Sequence, residues 1–243
     1  KFKSNNFNKR KSKHIKYIIL HYTALLDVYE SISYLCNPSK KVSSHFLINK
    51  FGQIYNLVDL KNRAWHAGES YWDGDIDINS LSIGIELDYC PSEKNKFSNK
   101  MIDSLNSLLL KLVKKYKISS NNILGHSDIA PYRKIDPGNK FPWNKLIINN
   151  RRSVRYKKNK FLTFSVLNKW FNKIKLKTKK TKVLFILGYI GYNTKPSIHN
   201  SKNFKILISA YQMRYNQKSI KGILDEKTYK LILKHFINKI LKY

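Results

Sequence analysis

GHSDIAPYRKIDPG, running from Gly125 to Gly138, puts an imidazole (His126), a primary amine (Lys134) and a carboxylate (Asp136) on one short loop of modest hydrophobicity. Upstream, the strand-like run KYIILHYT carries a second imidazole, His21, near its end. Two histidines and a carboxylate are a recurrent protein ligand set for a catalytic zinc ion, which keeps its fourth position open for water or substrate. An amine two residues before the carboxylate would point at that open position. The combination fits metal-assisted hydrolysis better than a structural metal site, with His21, His126 and Asp136 as candidate metal ligands.

Outward from these segments the chain reads as an α/β domain. His14 to Thr23 is rich in β-branched and aromatic residues and predicts a strand. Ala24 to Leu35 has helical spacing and stops near the breaker pair Asn37-Pro38. Ser44 to Asp59 predicts a hairpin that turns at Lys50–Gly52. SIGIELDY, Ser82 to Tyr89, alternates like a strand, with Gly84 permitting close backbone approach. Met101, Leu105, Leu108, Leu109, Leu112 and Tyr116 recur at helical spacing behind Ser98, a candidate N-cap. Asn122 to Gly125 predicts a short buried strand leading into the His126 loop.

The expected division places a loose basic N-terminal arm at residues 1–13 and a catalytic domain at 14–148. A charged linker, NNRRSVRYKKNK, follows at 149–160, and a small helical module at 161–243. The module's helical signals cover Phe161 to Ile174, Ser201 to Tyr215, and Asp225 to Leu241, with Asp225 as N-cap. VLFILGYIGYN lies between the first two.

Composition sets outer limits. The 243 residues suffice for a catalytic domain and a smaller module, and 42% apolar residues exclude a disordered chain. No apolar run reaches the roughly 18–20 residues needed to span a bilayer. The formal net charge of +32 would attract polyanions, nucleic acid included. Yet the charge is overwhelmingly Lys among abundant Asn and Ile, as an AT-rich genome imposes, and Arg is scarce. No specific nucleic-acid partner is expected. Cys36 and Cys90 form no CxxC pair and supply neither a zinc ribbon nor a disulfide scaffold.

With these motifs in view, residues 14–148 resemble the zinc-dependent N-acetylmuramoyl-L-alanine amidases, whose fold is shared with peptidoglycan recognition proteins and phage lysozyme-type amidases. The matching segments are IILHYTA, SSHFLINKFGQIYNLV, AWHAG, SIGIELDY and GHSDIAPYRKIDPGNKFPW, in the family's order. Residues 160–243 resemble a three-helix peptidoglycan-binding module through ILGYIGYN, AYQMRYN and GILDEKTYKLI. The pairing resembles periplasmic amidases attached to the outer membrane by a lipid. The resemblance implies a mixed central β-sheet flanked by helices, then a small three-helix domain. It further implies Zn2+ as cofactor and peptidoglycan or muropeptides as partners. A periplasmic location is the expectation, with a lipid anchor to the outer membrane only if a segment upstream of Lys1 carries one; a cytoplasmic location is the alternative. A monomer is the default.

By the same resemblance, Glu86 of SIGIEL takes the proton from the attacking water, and Lys134 stabilises the oxyanion. His45 and His66 match positions lining the cleft, where each would orient the catalytic carboxylate or contact a lactyl or sugar oxygen; a structural hydrogen-bonding role is the alternative for both. Arg133 is either a partner for a peptide-stem carboxylate or a loop charge. Two rival readings stand beside hydrolysis. One is a non-catalytic muropeptide-recognition protein, whose relatives typically lack a full ligand set. The other is a basic nucleic-acid-binding protein.

Overall fold

Tyr17–Tyr22 (β2) is an almost continuously apolar run because it is flanked on both sides by parallel strands and buried on both faces. A computed structural model describes residues 2–92, 94–147 and 163–241. The other strands of this sheet are Phe46–Ile48 (β3), Ile54–Asn56 (β4), Ser82–Leu87 (β6) and Ile123–Gly125 (β7). Their order is β4-β3-β6-β2-β7, with β4 alone antiparallel to its neighbour. The expected α/β class with a mixed central sheet is what the chain adopts.

Period-two alternation divides the sheet into two chemically different faces. Ile18, Leu20, Phe46, Ile48, Ile83, Ile85 and Leu87 pack into one large apolar core. Its other wall is the helix Asn99–Tyr116 (α3), which contributes Met101, Leu105, Leu109 and Leu112. Ser98 caps that helix by accepting from the Met101 amide at 3.1 Å. The intervening residues, His21, His45, Leu47, Ser82, Gly84 and Glu86, share the opposite face. A second, smaller cluster joins Leu47 to Ile32 and Leu35 of the helix Val28–Cys36 (α1). That helix starts four residues later than its apolar spacing predicts. The Asp27 carboxylate accepts from the Tyr29 and Glu30 amides and sets the N-terminus there.

The N-terminal segment is not the loose arm expected. Phe7–Lys9 (β1) pairs antiparallel with Asn62–Ala64 (β5). Ser4 and Asn6 are buried, donating to the carbonyls of Leu35, Asn37 and Val42. These residues hold the chain through polar side chains that satisfy backbone carbonyls, a mode that hydrophobic periodicity does not register.

The chain divides into two compact units: Lys1–Ser70 with Asp75–Arg151, and Tyr71–Gly74 with Arg152–Tyr243. The expected linker, 149–160, lies outside the described residues. The second unit has helices Phe164–Lys173 (α5), Lys179–Ile190 (α6), Ser201–Tyr215 (α7) and Glu226–Ile240 (α8). The three predicted helical segments correspond to α5, α7 and α8. The fourth, α6, corrects the three-helix expectation. It buries Val183, Leu184, Ile186, Leu187 and Ile190, and an apolar helix without a clear polar face lacks the amphipathic signal that marks α5 and α8. Among the described residues no helix is long and apolar enough to cross a membrane.

Candidate active site

The parallel strands deliver their functional side chains to one end of the sheet. His21 on β2 and Glu86 on β6 are register partners, and β7 ends at Gly125, directly before His126. Crevices beyond the carboxyl ends of such strands are the usual ligand positions in open α/β sheets. His126 opens a single helical turn, His126–Ile129 (α4), and the Gly125 amide donates to Asp128 Oδ2 at 2.8 Å. The chain then doubles back. The Arg133 and Lys134 amides both donate to the Ala130 carbonyl, and the Ser127 amide donates to the Asp136 carbonyl at 2.8 Å. Asp136 is thereby returned to the side of His126 despite ten residues of separation.

His21 Nδ1, His126 Nδ1 and Asp136 Oδ2 form a triangle with each edge 3.0 Å long. All three residues are buried, and their ligand atoms could hold one metal ion. The edges are close to the roughly 3.3 Å separating ligands of a tetrahedral ion with bonds of about 2.0 Å. The outer nitrogen of His126 supports this fit. Its Nε2 lies 3.0 Å from the Ala67 carbonyl, which can only accept, so the ring proton is on Nε2 and a lone pair on Nδ1 faces the triangle. Burial pushes His21 down to about 4, with the neighbouring Asp136 opposing that shift, so the ring is neutral near pH 7. Burial acts to raise the Asp136 carboxyl, but its contacts with His126 and His21 outweigh it and hold the group well below the usual carboxylate range.

Glu86 stands beside this triangle as a different kind of carboxylate. It is 8% exposed, and its Oε2 has no hydrogen-bond partner among the described residues. Burial, reinforced by the Asp136 charge and opposed by Lys134, raises it to about 8. Lys134 is half-buried, and its charge acts on both Glu86 and His21. Two carboxyls in one site are thus driven apart, one toward permanent ionisation and one toward proton exchange near neutrality.

His45, His66 and Arg133 are each engaged in hydrogen bonds within the unit, the arrangement that the structural alternative for the two histidines describes. His45 is fully buried beneath the sheet face, with its Nδ1 accepting from the Gly84 amide at 3.0 Å. His66 is buried behind His21, with its Nδ1 3.1 Å from His21 Nε2. The ring occupies space that only a glycine leaves free: a Cβ on Gly84 would lie 2.4 Å from His66 Cγ. Arg133 Nη2 is committed to the Ala67 and Glu69 carbonyls at 2.7 Å each, so it braces a loop.

Three residues that sequence reading passed over support the site from behind. Arg10 donates to the Leu60, Asn79 and Ser80 carbonyls and stands 2.8 Å from His45 Nε2. Asn79 Oδ1 accepts from both the His66 and Ala67 amides and so fixes the AWHAG loop. Ser82 Oγ lies 3.2 Å from His66 Nε2. Of these, only Ser82 left a readable signal, because it alternates with Gly84 and Glu86 on the site face.

Comparison with known proteins shows the family. Residues 11–139 match the N-acetylmuramoyl-L-alanine amidase family profile. The N-acetylmuramoyl-L-alanine amidase AmiD of Escherichia coli K12 is 30% identical over 228 residues, covering 88% of this chain and 79% of the relative. The 1,6-anhydro-N-acetylmuramyl-L-alanine amidase AmpD of Haemophilus influenzae is 42% identical over 108 residues, 44% of this chain and 58% of the relative. Among solved structures, E. coli AmiD in complex with anhydro-N-acetylmuramic acid-L-Ala-D-γ-Glu-L-Lys superimposes with a TM-score of 0.75 at 27% identity, covering 96% of this chain and 93% of the other. AmpDh3 of Pseudomonas aeruginosa gives 0.76 at 26% identity, covering 100% and 99%. With the profile spanning the whole sheet and the site, this chain belongs to the N-acetylmuramoyl-L-alanine amidase family and is a hydrolase of the muramoyl–L-alanine amide bond.

Proposed function

We propose that the enzyme is a zinc amidase that cuts between the lactyl group of N-acetylmuramic acid, the 1,6-anhydro form included, and L-alanine of the peptide stem. His21, His126 and Asp136 would hold the ion. When bound, zinc supplies Lewis acidity toward the amide carbonyl and lowers the pKa of a nearby water. The neutral imidazoles and ionised Asp136 suit its borderline softness. Glu86 takes the proton of the attacking water through its unpaired Oε2, then returns it to the departing alanine amine. The Lys134 ammonium stabilises the charge that develops on the former carbonyl oxygen.

The observation that carries this reading is the 3.0 Å triangle of His21, His126 and Asp136 beside the unpartnered Glu86 carboxylate. A recognition protein that binds without cutting has no use for that second carboxylate. Inclusion of the anhydro form is supported by relatives: AmiD was captured with an anhydro-muramyl tripeptide, and AmpDh3 with an anhydromuramic pentapeptide. The helical module, as a peptidoglycan-binding element, would keep the enzyme on its polymer in the periplasm.

Mass spectrometry of products from anhydro-muropeptides and from intact sacculi, with and without chelator, tests the proposal. The expected product is a stem peptide with a free L-alanine amino terminus, lost on chelation and restored by zinc. Full turnover by metal-free protein, or no cleavage after zinc loading, contradicts it.

A further inference from the structure

Behind His21 runs a chain of hydrogen bonds whose direction is fixed at its far end. Ser82 Oγ lies 2.5 Å from the Ile78 carbonyl, which can only accept, so the hydroxyl proton belongs to that bond. The same oxygen, 3.2 Å from His66 Nε2, must then accept, which puts the His66 proton on Nε2. His66 Nδ1 is therefore a lone pair, and at 3.1 Å it accepts the proton of His21 Nε2. That leaves His21 Nδ1 bare, the atom 3.0 Å from both His126 Nδ1 and Asp136 Oδ2.

We infer that Ser82 and His66 are positioning residues that fix the tautomer and ring orientation of His21, so that its Nδ1 lone pair faces the metal. The inference rests on the zinc reading above, because in metal-free protein the Asp136 carboxylate, 3.0 Å away, competes for the His21 proton at Nδ1. The arrangement is built in. His66 is locked by the Asn79 side chain through its backbone amide, and its ring fills the space over Gly84. His126 has its own fixed acceptor in the Ala67 carbonyl, so each imidazole of the triangle is backed by a separate outer partner. Removing Ser82 frees His66 to place its proton on Nδ1. His21 Nε2 would then have to accept, moving its own proton to Nδ1, where it blocks ligation.

The test uses the full chain. In zinc-loaded wild type, nitrogen-detected NMR of the imidazoles should show His66 protonated on Nε2 with Nδ1 bare; a His66 proton on Nδ1 overturns the inference. In Ser82→Ala, which leaves that Nε2 proton without its acceptor, zinc affinity from chelator competition should fall about 10- to 100-fold, the usual cost of removing an outer partner. His66→Phe, which removes the acceptor of the His21 proton altogether, should weaken zinc at least as much. Unchanged zinc affinity in Ser82→Ala overturns the inference even if the protein is active. A wild type that binds no zinc instead defeats the zinc reading.

Discussion

His21 and Glu86 are direct register partners across the β2–β6 ladder, so one proposed metal ligand and the proposed proton acceptor are held by adjacent parallel strands. Period-two alternation sends both side chains to the same face, and the strands that carry them are buried on both sides. A separation set by backbone pairing is not readily lost through loop motion. The proposed chemistry therefore rests on paired, doubly buried strands, and the segment from His126 to Asp136 brings the remaining groups to them.

Glu86→Gln keeps shape and burial while removing the proton acceptor. Turnover on an anhydro-muropeptide should fall by about two to four orders of magnitude, the range expected for a general base. Zinc content should stay at the wild-type level, because Glu86 is not a corner of the ligand triangle. A variant with wild-type turnover would remove Glu86 from the mechanism.

The same substitution has a signature in stability. Burial raises the Glu86 carboxyl from 4.5 to about 8. Between those values the folded protein keeps a proton that the unfolded chain has released, so the stability linked to it is complete below pH 4.5 and is lost as pH rises through about 8. Glu86→Gln does not ionise and avoids that loss. In metal-free protein its advantage over wild type should grow with pH, to on the order of a few kcal/mol above pH 8. Denaturant midpoints measured along a pH series would read it, and parallel profiles for the two proteins would refute it.

Much of this was legible in the chain, and the exceptions share a physical cause. SIGIEL and IILHYT are read correctly because a buried parallel strand writes its burial into apolar residues, and a polar residue at an inward position stands out. Asp225 and Ser98 are legible as caps because their side chains complete a local hydrogen bond. The N-terminal segment and Arg10 were missed because their bonds go to backbone carbonyls some 30 to 70 residues away in sequence, and carbonyls have no residue-type signature. His66 illustrates a subtler limit. The AWHAG motif identifies the residue as important, but only the fold shows that it faces His21 from behind.

Lys134→Ala should lower kcat by roughly a hundred- to a thousandfold, the range seen when one oxyanion donor is removed. Its backbone amide, which closes the loop on Ala130, is untouched by the change, so Asp136 stays in place. Zinc affinity should be close to wild type. A rise in KM with unchanged kcat would mean that Lys134 binds ground-state substrate and not the transition state.

Gly84→Ala adds a methyl 2.4 Å from His66 Cγ, closer than any relaxed contact allows. His66 is walled in by His21 and Ser82, so the ring has little room to yield. Overpacking of this kind typically costs about 1–3 kcal/mol. The variant should show a lower melting temperature and weakened zinc binding together. Loss of stability with undisturbed metal affinity would show that the His66 ring can move without consequence.

The helical module has its own internal polar anchor in Gln212. This fully buried side chain accepts from the Lys221 and Gly222 amides at 3.0 and 2.9 Å. It also donates to the Ile223 carbonyl at 2.9 Å and to Thr228 Oγ1 at 3.0 Å. One amide thus ties the loop 216–225 to both flanking helices. Gln212→Leu conserves volume but strips two amides and a carbonyl of their partner, each worth about 1–3 kcal/mol when left unsatisfied. Hydrogen exchange at Lys221 and Gly222 should accelerate sharply. Hydrolysis of soluble anhydro-muropeptides should persist, since the residues proposed to carry it all lie in the first unit. Retained protection at those two amides would show that the loop is held by something other than Gln212.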